Sequence, residues 1–179
     1  GAMDPQQRLL LERGYEALRE ASLDREALMG SVTGVFVGIA ANDFAQVLPA
    51  MPAGSSVYAA TGSAHAIAAG RLSYELGLQG ACVAYDTSCS AALVAGHAAL
   101  RSAQQSECTT ALLASVNVML APGVGWSFAL AGMTSLLGRS RTFDERADGY
   151  ARAEACGGAS LLRGGAGAAA GRSPVELRG

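Results

Sequence analysis

The chain has 179 residues, of which 50% are hydrophobic and 16% charged, and its formal net charge is -2. That length fits one domain or a piece of a larger one, and so apolar a chain is not intrinsically disordered, since disorder pairs low hydrophobicity with high net charge. The small net charge gives no electrostatic reason to expect a nucleic-acid partner, and no run of eighteen strongly apolar residues marks a membrane span.

Asp4-Pro5 suits a helix start, because Asp accepts a first-turn N–H and Pro fits the first helical position. Leu11, Tyr15 and Leu18 follow at helical spacing and predict one apolar face. Val35 to Ala40 is an apolar run ending at the Asn42-Asp43 pair, as in a buried strand. Residues 49 to 56 hold Pro49, Pro52 and Gly54, which mark a loop. Thr61-Gly62-Ser63 precedes an expected helical stretch that runs to about Tyr74, interrupted by Gly77 and Gly80. Ala81 to Asp86 is strand-like, Ser90 to Gln104 helical, and Thr110 to Val118 strand-like. Gly157 to Leu162 and Val175 to Leu177 are further strand candidates, separated by a low-complexity loop at 164 to 173. Alternation of strand and helix predicts an α/β fold with a layered, largely parallel sheet.

Cys82, Cys89, Cys108 and Cys156 form no C-x-x-C pair, and there are two histidines, so a structural zinc site is not expected. A disulfide scaffold does not suit so long and core-rich a chain. The thiols are read as reduced and intracellular. The start, Gly1-Ala2-Met3, is not a secretory signal. All thirteen basic residues are arginine, so no mechanism that needs a lysine is complete within these residues.

The chemistry concentrates in GACVAYDTSCSAALVAGHAAL, residues 80 to 100. A strand, a turn of small residues, Cys89 and then a helix would place a thiol at a helix N-terminus. Unpaired N–H groups there favour a thiolate and can hold the oxyanion formed when it attacks a thioester. A merely buried cysteine fits the local pattern about as well.

DTSCSAAL at 86 to 93 resembles the Asp-Thr-Ala-Cys-Ser-Ser-Ser-Leu signature of β-ketoacyl synthases of modular type I polyketide synthases. The resemblance extends through MDPQQRLLLE at 3 to 12, TGSAHAIAAGRLSYELGLQG at 61 to 80, ASVNVMLAP at 114 to 122, and the AGMTS and RTFDERADGYARAEACG blocks between 131 and 157. It implies a thiolase-like fold, α-β-α-β-α in the complete domain, with Cys89 as the acyl-accepting nucleophile. It implies a 3-oxoacyl synthase that condenses an acyl-Cys89 thioester with a decarboxylating malonyl-type extender. The implied partners are an acyl carrier protein, which brings the phosphopantetheine arm, and a second copy in a homodimer paired through residues 81 to 86. No metal or directly bound cofactor is implied, and the location is cytoplasmic, or an organelle such as a plastid in a eukaryote.

Three departures from the family pattern stand out. Ala153-Glu154-Ala155 replaces Gly-Glu-Gly, Ala91 and Ala92 replace serines, and Ser135 to Ser140 differs from Ser-Pro-Asp-Gly-Arg-Cys. The family's two downstream histidine motifs and its lysine do not occur, so the expectation is the nucleophile-bearing N-terminal part of a synthase domain. An inactive, degenerate synthase serving as a docking or dimerisation module is the alternative.

His97, eight residues after Cys89, would stand ~12 Å along a helix and is expected to be structural, like His65. Glu154 is expected either to organise the floor of the site or to form an ion pair or cap. Asp86 is expected to bond locally, Asp144 and Asp148 to serve turns and ion pairs, with an Asx turn at Asp148-Gly149. Cys82, Cys108 and Cys156 are expected in the core; Phe128 and Met133 are expected either to line the acyl pocket or, the favoured reading, to pack in the core. The glycines at 164 to 167 lack the Lys and Ser/Thr of a phosphate loop.

Overall fold

A computed structural model describes residues 1–162. Four strands form one sheet in the order β2-β1-β3-β4. They are β1 (Thr33–Ile39), β2 (Cys82–Tyr85), β3 (Thr110–Asn117) and β4 (Ala155–Leu162). β1 pairs parallel with both β2 and β3, and β4 runs antiparallel to β3. The last strand candidate, 175 to 177, and the glycine-rich loop lie outside the described residues.

Helices cover both faces of the sheet. Strand side chains alternate between faces, so Val35, Val37, Ile39, Leu112, Ala114 and Val116 join the cluster under α1 (Pro5–Glu20) and α5 (His65–Leu76). Phe36 and Ala111 meet Ala95, Ala99 and Ala103 of α6 (Ala91–Gln104) on the other face. Small alanines let α6 lie close to the sheet. All seven residues of β1 are buried, as befits a central parallel strand.

α1 begins as expected, with Asp4 Oδ1 accepting the Gln6 N–H at 2.8 Å. Its buried face differs from the expected one: Leu10, Gly14, Ala17 and Leu18 face the core, Leu11 is half-buried and Tyr15 is exposed. Gly14 makes the difference, since a bare backbone there admits Leu72 and Leu112 where a side chain would stand. The helix expected after Ser63 is α5, and the Thr61-Gly62-Ser63 segment before it belongs to a short helix of its own, α4 (Ala59–Ser63), set off from α5 by Ala64 in extended conformation. α5 ends at Gly77, whose φ of 65° closes the helix in the left-handed region that glycine adopts freely.

Besides α4, three α-helices went unanticipated. α2 (Arg25–Leu28) and α3 (Asp43–Val47) are single turns. α7 (Pro122–Leu130) contains Gly123 and Gly125 and is apolar all round, so it shows no 3.6-residue pattern. Among the described residues no helix is long and apolar enough to cross a membrane.

Candidate active site

Cys89 is exposed on the connection between β2 and α6. The turn is built locally. Asp86 Oδ1 accepts the Ser88 N–H at 3.1 Å, and Ser88 takes φ 55°, a left-handed conformation costing a non-glycine residue about 1–2 kcal/mol. Ser88–Ser90 forms one 3₁₀ turn that hands the chain to α6. The Ser90 hydroxyl turns back to the Thr87 carbonyl at 2.9 Å, so the first turn of α6 has no side-chain cap. A helix start in that state offers N–H groups to an anion.

Gly38 of β1 sets this turn against the sheet. A Cβ at 38 would stand 2.7 Å from the Ala92 nitrogen and 2.8 Å from the Ala91 carbonyl carbon. Only a bare backbone lets α6 begin so close to β1.

β1, β2 and β3 all end on the same edge of the sheet, and antiparallel β4 starts there, Ala155 opposite Asn117. Open α/β sheets bind ligands outside the carboxyl ends of their strands. The sequence blocks around Cys89, Asn117 and Glu154 therefore meet at one edge. Asn117 Nδ2 donates to the Ala153 carbonyl at 2.9 Å, and Glu154 Oε1 accepts the Met119 N–H at 2.7 Å. Among the described residues Glu154 forms no ion pair and caps no helix: it anchors a backbone segment. Arg152 stacks 5.0 Å from the Phe128 ring centroid.

The histidines stand apart from the thiol. His97 is exposed on α6, two helical turns beyond Cys89. His65 Nε2 lies 3.2 Å from the Ala41 carbonyl, so that nitrogen carries the proton. Asp144 pairs with Arg146 at 2.7 Å and also accepts the Arg146 N–H, which puts the Asx-type turn at Asp144 and not at Asp148. Asp148 accepts from the Ser135 hydroxyl at 2.7 Å and faces Arg141 at 3.7 Å.

The other thiols depart in part from the expected core placement. Cys108 is buried, with Sγ 3.5 Å from the Ser102 hydroxyl. Cys82 is exposed because β2 is an edge strand, and Cys156 is half-buried near the sheet's other edge. Burial nevertheless pushes both of those thiols up; at Cys156 the Arg13 cation opposes it. Met133 is exposed and Phe128 only half-buried, since no described element covers α7.

Sequence reasoning missed Gln6, Gln7 and Asp43 as structural polar groups. Each is at most 2% exposed. Their signal was an amide pair and an acid placed beside apolar runs. Among the described residues no three His, Cys, Asp or Glu side chains gather as a metal site. Surface hollows of about 420 Å³ beside Tyr58 and Arg71 and about 520 Å³ between α5 and β2 do not include Cys89.

Residues 1–165 match the family described as "Beta-ketoacyl synthase, N-terminal domain". The chain belongs to the β-ketoacyl synthase family. A phenolphthiocerol/phthiocerol polyketide synthase of Mycobacterium tuberculosis is 43% identical to this chain over 162 residues, 90% of this chain and 10% of its own length. A polyketide synthase of Streptomyces halstedii is 46% identical over 156 residues, 87% of this chain and 2% of its own length. An oxazolomycin ketosynthase domain of Streptomyces albus superposes with a TM-score of 0.81 at 37% identity, over 90% of this chain and 28% of that one. The fold is thus the thiolase-like α/β fold of ketosynthases, and the chain spans a tenth or less of these two polyketide synthases. In this chain Ala153 and Ala155 avoid the left-handed region, so the missing glycines cost no backbone strain there.

Proposed function

We propose that this chain carries the nucleophile half of a polyketide-synthase condensing reaction, with Cys89 as the acyl acceptor. The observation that carries it is the strained, uncapped turn that presents Cys89 at the carboxyl edge of a ketosynthase sheet. The Cys89 thiolate attacks the carbonyl of an acyl thioester on an acyl carrier protein. The backbone N–H groups at the start of α6 hold the tetrahedral oxyanion. The bond to the carrier's phosphopantetheine sulfur breaks, that sulfur leaves with a proton, and the acyl group stays on Cys89.

Condensation follows in the whole protein. A malonyl-type carrier thioester loses carbon dioxide, its carbanion attacks the acyl-Cys89 carbonyl, and the Cys89 sulfur leaves. Dividing the reaction this way is covalent catalysis. The polyketide synthase relatives favour this reading over a docking module. The protein works in the cytoplasm and needs no metal or bound cofactor of its own.

The second step needs donors for the enolate. His65 is committed to Ala41, and His97 stands ~12 Å of helix rise from Cys89. The 179-residue chain is therefore acylated without decarboxylating the extender.

β2 is an edge strand with Cys82 and Val83 exposed, which supports pairing with its twin across a two-fold axis. Sedimentation of the whole synthase domain as a monomer at micromolar concentration would remove that part of the proposal. The catalytic part is tested by mixing the chain with acyl-loaded and malonyl-loaded carrier protein. Acyl transfer to protein without carbon dioxide release supports it. Absence of acyl transfer refutes it.

A further inference from the structure

Arg71 stands on α5, on the face of the sheet opposite α6. Its Nε donates to Gln7 Oε1 at 3.1 Å. Gln7 is 2% exposed, and its own Nε2 donates to the Thr61 carbonyl at 3.1 Å and the Ala64 carbonyl at 3.4 Å. Those two bonds decide which way the amide faces. Its oxygen is turned to Arg71, and the guanidinium is held by one nitrogen.

A guanidinium carries five N–H donors in a fixed fork, and one of them is used. Among the described residues no carboxylate stands within ion-pair distance of Arg71, and Nε is its only nitrogen with an acceptor. The residue is half-buried, so water reaches it only in part. A cation drawn out of water is costly unless an anion meets it.

Arg71 lines a surface hollow of about 420 Å³ with Met3, Ala53, Ser56, Tyr58 and Gly62, a size that suits a small ligand. Gly62 shapes one side: a Cβ there would run into the Ala2 carbonyl oxygen, so a bare backbone is what lets the chain lie against α4. The Ser56 hydroxyl accepts the Tyr58 N–H at 3.2 Å, which leaves its own proton to donate. Met3, Ala53 and the Tyr58 ring make the rest of the wall apolar.

The arginine fork matches the paired oxygens of a carboxylate or a phosphate. Charge decides between them. Arg71 is the one charged side chain lining the hollow, which balances a single negative charge, whereas a phosphate group near pH 7 carries more than one. The apolar walls call for a hydrocarbon stem behind the anion.

We infer that the hollow beside Arg71 is a binding site for a carboxylate carried on a short apolar stem. It is separate from Cys89 and does not rest on the acyl-accepting role of that thiol. The Arg71 fork takes the two carboxylate oxygens, the Ser56 hydroxyl adds a donor, and Met3, Ala53 and Tyr58 enclose the stem. The same group ends a small fatty acid and the side chain of a glutamyl peptide, and the test separates these two sources.

The full chain is followed by NMR at the Tyr58 and Gly62 amides and at the Arg71 Nε–H. Butyrate and the peptide N-acetyl-Ala-Glu-Ala amide are titrated at constant ionic strength, beside chloride and inorganic phosphate. At least one of the two carboxylates should give saturable shifts confined to the hollow, at lower concentration than phosphate. Tighter binding of butyrate makes the ligand a free acid, and tighter binding of the peptide makes it a polypeptide side chain. Arg71→Gln should weaken binding by about tenfold or more, the loss expected when hydrogen bonds between charged groups go. Arg71→Lys keeps the charge without the fork and should fall between. Ala53→Leu leaves Arg71 on Gln7 and fills the hollow, so it should abolish the shifts and carries the test where an Arg71 variant fails to fold. Shifts with neither carboxylate, shifts no tighter than those with chloride or phosphate, or shifts unchanged in Ala53→Leu would overturn the proposal.

Discussion

Gly38 and Ala92 stand so close that a single methyl group on Gly38 would come within 2.7 Å of the Ala92 nitrogen. The neighbour is backbone, so it cannot swing away. Gly38→Ala should therefore push the start of α6 off the sheet, at a cost of about 1–3 kcal/mol, the range for overpacking. Urea unfolding should show the midpoint falling, and alkylation of Cys89 at fixed pH should change with it. An unchanged midpoint would mean the contact is not tight.

Ser88 holds its left-handed conformation immediately before the thiol. Ser88→Gly should be tolerated, because glycine occupies that region without penalty. Ser88→Val should lose about 1–2 kcal/mol, since a side chain branched at Cβ fits it worst. Comparing the two by denaturant unfolding separates the backbone requirement from the serine hydroxyl.

The four thiols should label in order. Cys89 is exposed, Cys108 is buried, and burial pushes Cys82 and Cys156 up. At pH 7 iodoacetamide should modify Cys89 first, with Cys82 and Cys156 following only as pH rises. The sign for stability follows from the same direction. A raised thiol favours its protonated form in the folded chain, so the contribution is complete below the unfolded thiol value of about 8.5 and is lost as pH climbs past it. Equal labelling of all four sites in folded protein would contradict this order.

Asp144 and Asp148 should titrate below the usual carboxylate range. The Arg146 side chain lowers the first, and the Ser135 hydroxyl, helped by Arg141, lowers the second. Both effects act only above the folded values and vanish as pH falls through them. Carbon-detected NMR should show the Asp144 titration moving up in Arg146→Ala and the Asp148 titration moving up in Ser135→Ala.

The sheet was legible wherever a strand is buried on both faces. Val35 to Ala40 and Thr110 to Val118 read as continuous apolar runs because helices cover both sides of β1 and β3. Cys82 misled because it lies in a similar run, yet β2 borders the sheet and leaves it exposed. The turn around Cys89 was legible in outline, since Asp86 at the end of an apolar run and small residues before a helical stretch mark a strand–turn–helix connection, while the left-handed Ser88 was not. The bonds that hold the Val118, Met119 and Leu120 N–H groups were not legible, because their acceptors, Gln6, Glu154 and Asp43, are 35 to 112 residues away. α7 escaped notice for a different reason: two glycines lower its helix propensity and its apolar surface has no polar side.

The most direct measurement is the site of acylation. Folded chain incubated with an acyl N-acetylcysteamine thioester, then digested and mapped by mass spectrometry, should carry one acyl group on the peptide holding Cys89. Cys89→Ala should carry none. An acyl group spread over Cys82 and Cys156, or acylation that persists in Cys89→Ala at the parent rate, would contradict the account.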